Sequence, residues 1–208
     1  MKLIGLLLMA AFPATVFAQA PPPTGVSDEP IGRFAVDLQG SLANFPQDGA
    51  SAASLGTVEA NLPGRGLGAR AAATFYPFRL GPMTIGLGGA FALARGTQEA
   101  ELSGERFTTT FVSVAPQLSL NFGRKSGWSY LSVGISNTKL TIAREGADGG
   151  PSAPTVDYGG GARWFLREHL AFSFDVRIFN IAATDTEPDI AARARTLMLV
   201  ISAGVSVK

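Results

Sequence analysis

The feature that most constrains this chain is a double rhythm. Eight stretches alternate apolar and polar residues, and the gaps between them alternate long and short. In residues 170–178, Leu170, Phe172, Phe174, Val176 and Ile178 share one parity, while Ala171, Ser173, Asp175 and Arg177 share the other. Side chains of a strand alternate faces with period two, so this segment has one greasy face and one charged face. The same reading predicts strands over 32–44, 65–78, 83–94, 107–122, 128–142, 155–166, 170–182 and 195–207. The intervening segments 45–64, 95–106, 143–154 and 183–194 are long, and those near 79–82, 123–127 and 167–169 are tight. Long and short connections that alternate around an even number of strands describe a closed up-and-down transmembrane barrel with both ends on one side.

The faces can be assigned residue by residue. Phe34, Val36, Leu38 and Leu42 oppose Arg33, Asp37, Gln39 and Ser41 in the first strand; Leu67, Ala69, Ala71, Ala73 and Phe75 oppose Arg70 and Thr74 in the second. In the eighth, Leu197, Leu199, Ile201, Ala203, Val205 and Val207 oppose Thr196, Met198, Ser202 and Ser206. A soluble sandwich or lipocalin-like barrel would turn the greasy face inward. It would then leave Gly86, Gly88, Ala90 and Ala92 on a wet surface where Lys, Glu and Thr are usual. With the apolar face in lipid, a one-residue slip would expose Arg70, Arg163 and Arg177 to hydrocarbon, at about 2–4 kcal/mol each at mid-depth.

The N-terminus reads as an export signal over 1–18. Lys2 precedes a short apolar run, Pro13 breaks it, and Val16-Phe17-Ala18-Gln19-Ala20 offers small residues for cleavage. Cutting after Ala18 is favoured over Ala20, because Pro21 would sit immediately after the second site. A proline-rich lead-in over 19–31 then precedes a single barrel domain over 32–208. There is no cysteine, and 17 basic residues nearly balance 16 acidic ones. That balance provides no basic stripe for nucleic acid.

Two passages carry a family resemblance. Tyr158-Gly159-Gly160-Gly161-Ala162-Arg163-Trp164-Phe165-Leu166, followed by Leu170-Ala171-Phe172-Ser173-Phe174-Asp175-Val176-Arg177, resembles the penultimate hairpin of the small outer-membrane β-barrel proteins, the OmpA-like and OmpX-like eight-stranded barrels. Gly68-Ala69-Arg70-Ala71-Ala72-Ala73-Thr74-Phe75-Tyr76-Pro77-Phe78 is similar to their second strand and turn. The resemblance implies an outer-membrane location in a Gram-negative-type bacterium, with outer-membrane lipid and the barrel-insertion machinery as partners. It extends to the barrel alone, without the peptidoglycan-binding domain of full OmpA proteins. These barrels usually end on an aromatic residue, whereas Ser202-Ala203-Gly204-Val205-Ser206-Val207-Lys208 keeps the alternation without the final ring.

An eight-stranded interior is just wide enough to be filled by side chains. Arg33, Asp37, Arg70, Asp157, Arg163, Asp175 and Arg177 are expected there as an ionic network. Asp37 is expected to pair with Arg70 and Arg163 with Asp175, on adjacent strands. A lone buried charge is expensive, so such pairs favour a plug; a gated ion path is the alternative. Inward glycines and alanines on the third and sixth strands would make room for the arginines. A Ser–His–acid enzyme of the kind found among lipid-active outer-membrane barrels needs a histidine near the outer rim. The only histidine, His169, falls in a turn on the opposite side.

The long segments lean acidic through Glu99, Glu101, Glu105, Asp185, Glu187 and Asp189. The last three could attract a divalent cation, but without the spacing of a known motif. No cofactor, metal site or catalytic residue is expected. The reading is a monomeric, non-enzymatic barrel with a structural or surface-interaction role exercised through its long loops. A small channel is the second possibility and a lipid-active enzyme the third.

Overall fold

The computed structural model describes residues 30–144, 151–184 and 194–208. The export signal, most of the proline-rich lead-in, and Asp185, Glu187 and Asp189 lie outside the described residues. Eight antiparallel strands follow one another: β1 (Phe34–Asn44), β2 (Arg65–Leu80), β3 (Met83–Glu99), β4 (Arg106–Arg124), β5 (Gly127–Arg144), β6 (Ser152–Phe165), β7 (Leu170–Ile181) and β8 (Thr196–Val207). Each pairs with its neighbours in chain order, and β8 returns to β1 from Val36↔Val207 to Asn44↔Leu199, closing the barrel. Closure leaves no strand edge unpaired, which a sheet surrounded by hydrocarbon requires.

The burial pattern of β1 is strictly alternating, and that of β7 keeps the same parity. Among the described residues, the outward face between the two rims is free of charged side chains. On β8 it runs from Leu197 to Val207. Ten steps of about 3.3 Å, tilted by roughly 40°, give about 25 Å, the height of an outer-membrane apolar band. No helix among the described residues is long and apolar enough to cross a membrane; the strands cross it. Trp164, half exposed, stacks on Phe172 at 6.0 Å between ring centroids near the short-turn end. That is an aromatic-girdle position.

Three local features depart from the sequence expectation. The β3–β4 hairpin is taller, because Glu99 still pairs with Arg106; the expected loop over 95–106 shrinks to 100–105. β2 carries a bulge between Phe75 and Phe78. Pro77, lacking an N–H, sits in the interruption, so Phe75 and Phe78 both face outward while Tyr76 turns inward. The segment 45–64 is not only a polar loop. It forms α1 (Gly49–Ser54) and a 3-10 turn (Glu59–Asn61).

Asp48 caps α1 by accepting from the Ser51 N–H at 2.9 Å. Six residues would not hold a helix alone. Ala52, Leu55 and Leu62 bury against Ala100, Phe107 and Ile142, so tertiary packing orders the segment. Arg144 pins it, donating to Glu105 at 2.5 Å and to the Leu55 carbonyl at 2.6 Å.

Candidate functional site: a filled lumen

Six of the seven charged residues expected in the lumen are there and fully buried: Asp37, Arg70, Asp157, Arg163, Asp175 and Arg177. Arg33 is not. It lies one residue before β1 and is exposed at the rim, where its carbonyl accepts the Tyr76 N–H at 2.8 Å. Inward parity extends only as far as the strand does, and β1 starts at Phe34. Among the described residues, the buried ionic layer of the lumen therefore holds three arginines and three aspartates.

Their pairing also differs from expectation. Arg163 grips Asp37 with two donors, Nε to Oδ1 at 2.8 Å and Nη2 to Oδ2 at 2.5 Å. Arg70 approaches Asp175 at 3.9 Å instead of Asp37. The register explains the exchange. Gln39, not Asp37, lies opposite Arg70 on β1, and Ser173, not Asp175, lies opposite Arg163 on β7. Arg163 and Arg70 then meet their carboxylates across the narrow interior, on strands that are not their neighbours.

Arg177 bridges two carboxylates, with Nη1 on Asp157 at 2.6 Å and Nη2 on Asp175 at 3.2 Å, and donates to Ser132 at 2.6 Å. Neutral groups complete the layer. Gln39 accepts from Arg70 at 3.1 Å and donates to Ser173 at 3.0 Å. Gln117 accepts from Arg70 at 3.4 Å and donates to Asp157 at 3.0 Å. The Tyr130 hydroxyl donates to Asp175 at 2.8 Å, and Ser206 donates to Asp37. Arg163 lies 4.3 Å from the Tyr130 ring centroid and 5.7 Å from that of Trp128. Such contacts are worth about 0.5–2 kcal/mol.

Inward glycines have a different use from the one expected. A Cβ at Gly134 would meet Asp157 Oδ2 at 2.5 Å, and one at Gly161 would meet the Phe174 carbonyl oxygen at 2.1 Å and the Tyr130 hydroxyl at 2.7 Å. Gly134, on β5, clears space for the acid; Gly161, on β6, clears it for the β7 backbone and the tyrosine rather than for an arginine.

The ionic layer is one of three. Toward the short turns, Ile31, Ala35, Tyr76 and Trp128 form an aromatic floor. Phe165 stacks on Trp128 at 5.0 Å, and the Lys208 ammonium lies 3.6 Å from the Phe165 centroid. Toward the long loops, Phe45, Phe111, Leu140, Phe179, Ile181, Met198 and Val200 fill the barrel with an apolar plug. Phe111 and Phe179 meet edge to face at 4.9 Å. This plug was missed from the sequence, although parity signals it: Phe179 follows Arg177, and Phe111 precedes Ser113, by two positions. Beside Arg70 the enclosed void is ≈ 10 Å³, room for about one water and too small for a hydrated ion.

His169 stands exposed in the β6–β7 turn, its Nδ1 3.1 Å from the Lys208 carbonyl oxygen and its Nε2 4.0 Å from Glu168. Among the described residues, no three His, Asp or Glu side chains gather as metal ligands would. In the lumen each carboxylate faces an arginine.

A closed eight-stranded barrel with a charge-free apolar belt and a filled interior defines the class of small outer-membrane barrels. The family description "Outer membrane protein beta-barrel domain" matches residues 4–202, and the chain belongs to that family. Neisserial surface protein A is similar in structure, with a TM-score of 0.58 at 15% identity, over 84% of this chain and 96% of that one. So is Ail, the attachment invasion locus protein of Yersinia pestis, in complex with the heparin analogue sucrose octasulfate. Its TM-score is 0.51 at 14% identity, over 85% of this chain and 98% of that one. At these identities the likeness shows the fold. No curated protein sequence matches significantly.

Proposed function

We propose that this protein is a non-conducting surface barrel whose function is displayed by its long loops. In this reading the signal over 1–18 is removed on export and the monomeric barrel over 32–208 inserts with its short turns in the periplasm. The observation that carries the reading is the three-layered interior. Aromatic floor, paired ions and apolar plug occupy successive levels, so the outer face is where a partner can be met.

The loops carry their own bias. The four inter-strand segments at the long-loop end, 45–64, 100–105, 145–151 and 182–195, hold nine acidic residues against two basic ones. An acidic crown favours a basic or neutral partner over a sulfated polyanion such as the one bound to Ail.

Planar-bilayer recordings test the closed lumen. Purified protein and Asp175→Ala are both expected to be silent, because the apolar plug stays in place. Discrete conductance in the wild-type protein that Asp175→Ala alters would replace this reading with a channel. Acyl-chain hydrolysis or transfer by purified protein would replace it with an enzyme. For the crown, cells displaying the protein should adhere to polylysine-coated rather than heparin-coated surfaces. Asp185→Asn, Glu187→Gln and Asp189→Asn together should weaken that adhesion, and retention on heparin would refute the charge argument.

A further inference from the structure

The two ends of the barrel carry opposite charge. Among the described residues, the short-turn end comprises 30–33, 79–82, 123–127, 165–169 and 208. It holds six cations, Arg33, Arg79, Arg124, Lys125, Arg167 and Lys208, against one carboxylate, Glu168. This is the reverse of the acidic crown at the long loops. A face dominated by one sign concentrates partners of the other sign around it.

Three of these cations ring a cavity. Lys125, Arg167 and Lys208, with Ser126, Phe165 and Glu168, line a hollow of ≈ 440 Å³ between the β4–β5 and β6–β7 turns. The hollow is preformed by the backbone. The Phe165 N–H donates to the Ser126 carbonyl at 3.0 Å and joins the two turns, and the Lys208 N–H donates to the His169 carbonyl at 3.3 Å. The Lys208 ammonium bonds the Lys125 carbonyl and lies 3.6 Å from the Phe165 centroid. Phe165 is the floor. It shares inward parity with buried Ala171, its partner on β7, and stacks on Trp128. The hollow therefore opens over the mouth of the barrel, inside the ring of lipid-facing side chains to which Trp164 belongs. A lipid headgroup meets that outer ring rather than the mouth.

The size falls within the range of about 300–1,000 Å³ typical of small organic ligands, far more than a lone inorganic anion fills. Cations alone would suit a phosphate. Here a carboxylate and an aromatic floor stand beside them, which matches a ligand of mixed charge with apolar parts. Glu168 is exposed at the edge, 4.0 Å from His169.

We propose that this hollow binds the stem peptide of the cell wall, a short peptide with several carboxylates, one amine and small methyl side chains. Lys125, Arg167 and Lys208 take the carboxylates, Arg167 with the fork geometry that suits them. Glu168 takes the amine, and a methyl group packs on Phe165. Attachment of this kind uses the barrel's own turns, and it gives each end of the molecule its own partner. The cellular side of the proposal rests on the periplasmic orientation of the short turns, whereas the binding itself does not.

The test is cosedimentation of full-length purified protein, in dodecyl-maltoside micelles, with isolated peptidoglycan sacculi. The protein should pellet with native sacculi and stay in solution with sacculi whose carboxylates have been amidated. Soluble muramyl tripeptide should release it. Lys125→Gln with Arg167→Gln removes two exposed ion pairs and should weaken binding about tenfold. Arg124→Gln should leave it unchanged, because Arg124 sits on the same turn with the outward parity of Phe122.

Equal sedimentation with amidated sacculi would overturn the proposal whatever the variants do. So would loss in Arg124→Gln matching that in the double variant, or release by phosphatidylglycerol but not by muramyl tripeptide, which would make the ligand a lipid headgroup. Heat-modifiable mobility checks that each variant is folded. Protease access to residues 45–64 in intact cells tests orientation separately, so a wrong orientation and a wrong ligand give different results.

Discussion

Replacing Asp37 with asparagine asks whether the lumen is held by paired charge or merely filled. The side chains of Asp37 and Arg163 are 0% and 3% exposed, and two short hydrogen bonds join them. Removing one partner of a buried pair costs about 3–5 kcal/mol, because the surviving ion stays in a low-dielectric interior. Asparagine keeps the shape and one acceptor oxygen, which returns about 1 kcal/mol as a hydrogen bond. The aromatic contacts of Arg163 with Tyr130 and Trp128 are present in both proteins and cancel. The expected loss is about 2–4 kcal/mol. Glu99→Gln, facing Arg106 across an exposed 3.5 Å pair, should cost less than about 1 kcal/mol.

Equilibrium urea unfolding in phosphocholine vesicles, followed by tryptophan fluorescence, measures both. Arg163→Met completes a double-mutant cycle. With both charges removed, the double variant should be more stable than the sum of the single losses predicts, by about 2 kcal/mol. An Asp37→Asn barrel within 1 kcal/mol of wild type, or strictly additive losses, would refute the claim that this pair is energetically coupled.

The other layers and the outer cover make separable predictions. Phe179→Ala, at a position 3% exposed and in edge-to-face contact with Phe111, should destabilise the barrel by about 3–5 kcal/mol in the same unfolding assay. It should leave planar bilayers silent, because the ionic layer beneath still blocks the path. Gly134→Ala pushes a methyl against Asp157 and should cost about 1–3 kcal/mol, whereas Gly89→Ala, whose Cβ would meet nothing closer than 3.6 Å, should be nearly neutral. Equal costs for the two would undo the argument that Gly134 clears space for the acid. Leu62→Asp places a charge in the cluster that holds α1 down. Limited proteolysis should then cut within 45–64 while the barrel keeps its heat-modifiable mobility, and an uncut loop would show that the packing is dispensable.

Alternation alone was enough to place Asp157, Arg163, Asp175 and Arg177 inside and Phe172, Phe174 and Val176 outside. Parity is a local property of the strand, and every strand here is long enough to express it. The eight-strand count and the alternation of long and tight connections followed from the same local signals, as did the turn between Leu80 and Met83.

Partners within the lumen were not local. Which carboxylate Arg163 meets depends on where β1 stands across the barrel, and thus on closure and on the register Gly161↔Asp175. Adjacent-strand reasoning misassigned the partners because the long guanidinium side chains cross the interior. The apolar plug had the right parity, yet greasy residues on the inward face were readable as lumen only once the strands continued past the lipid band. The order in 45–64 was hidden for a further reason. Ala52 and Leu55 carry no helix signal strong enough alone, and their burial is supplied by Phe107 and Ile142 from the hairpins beside them.

Which way each side chain faces is therefore settled by chain geometry residue by residue, and the sequence by itself determined that here. What each side chain touches depends on the shear and closure of all eight strands together, and only the tertiary structure decided it.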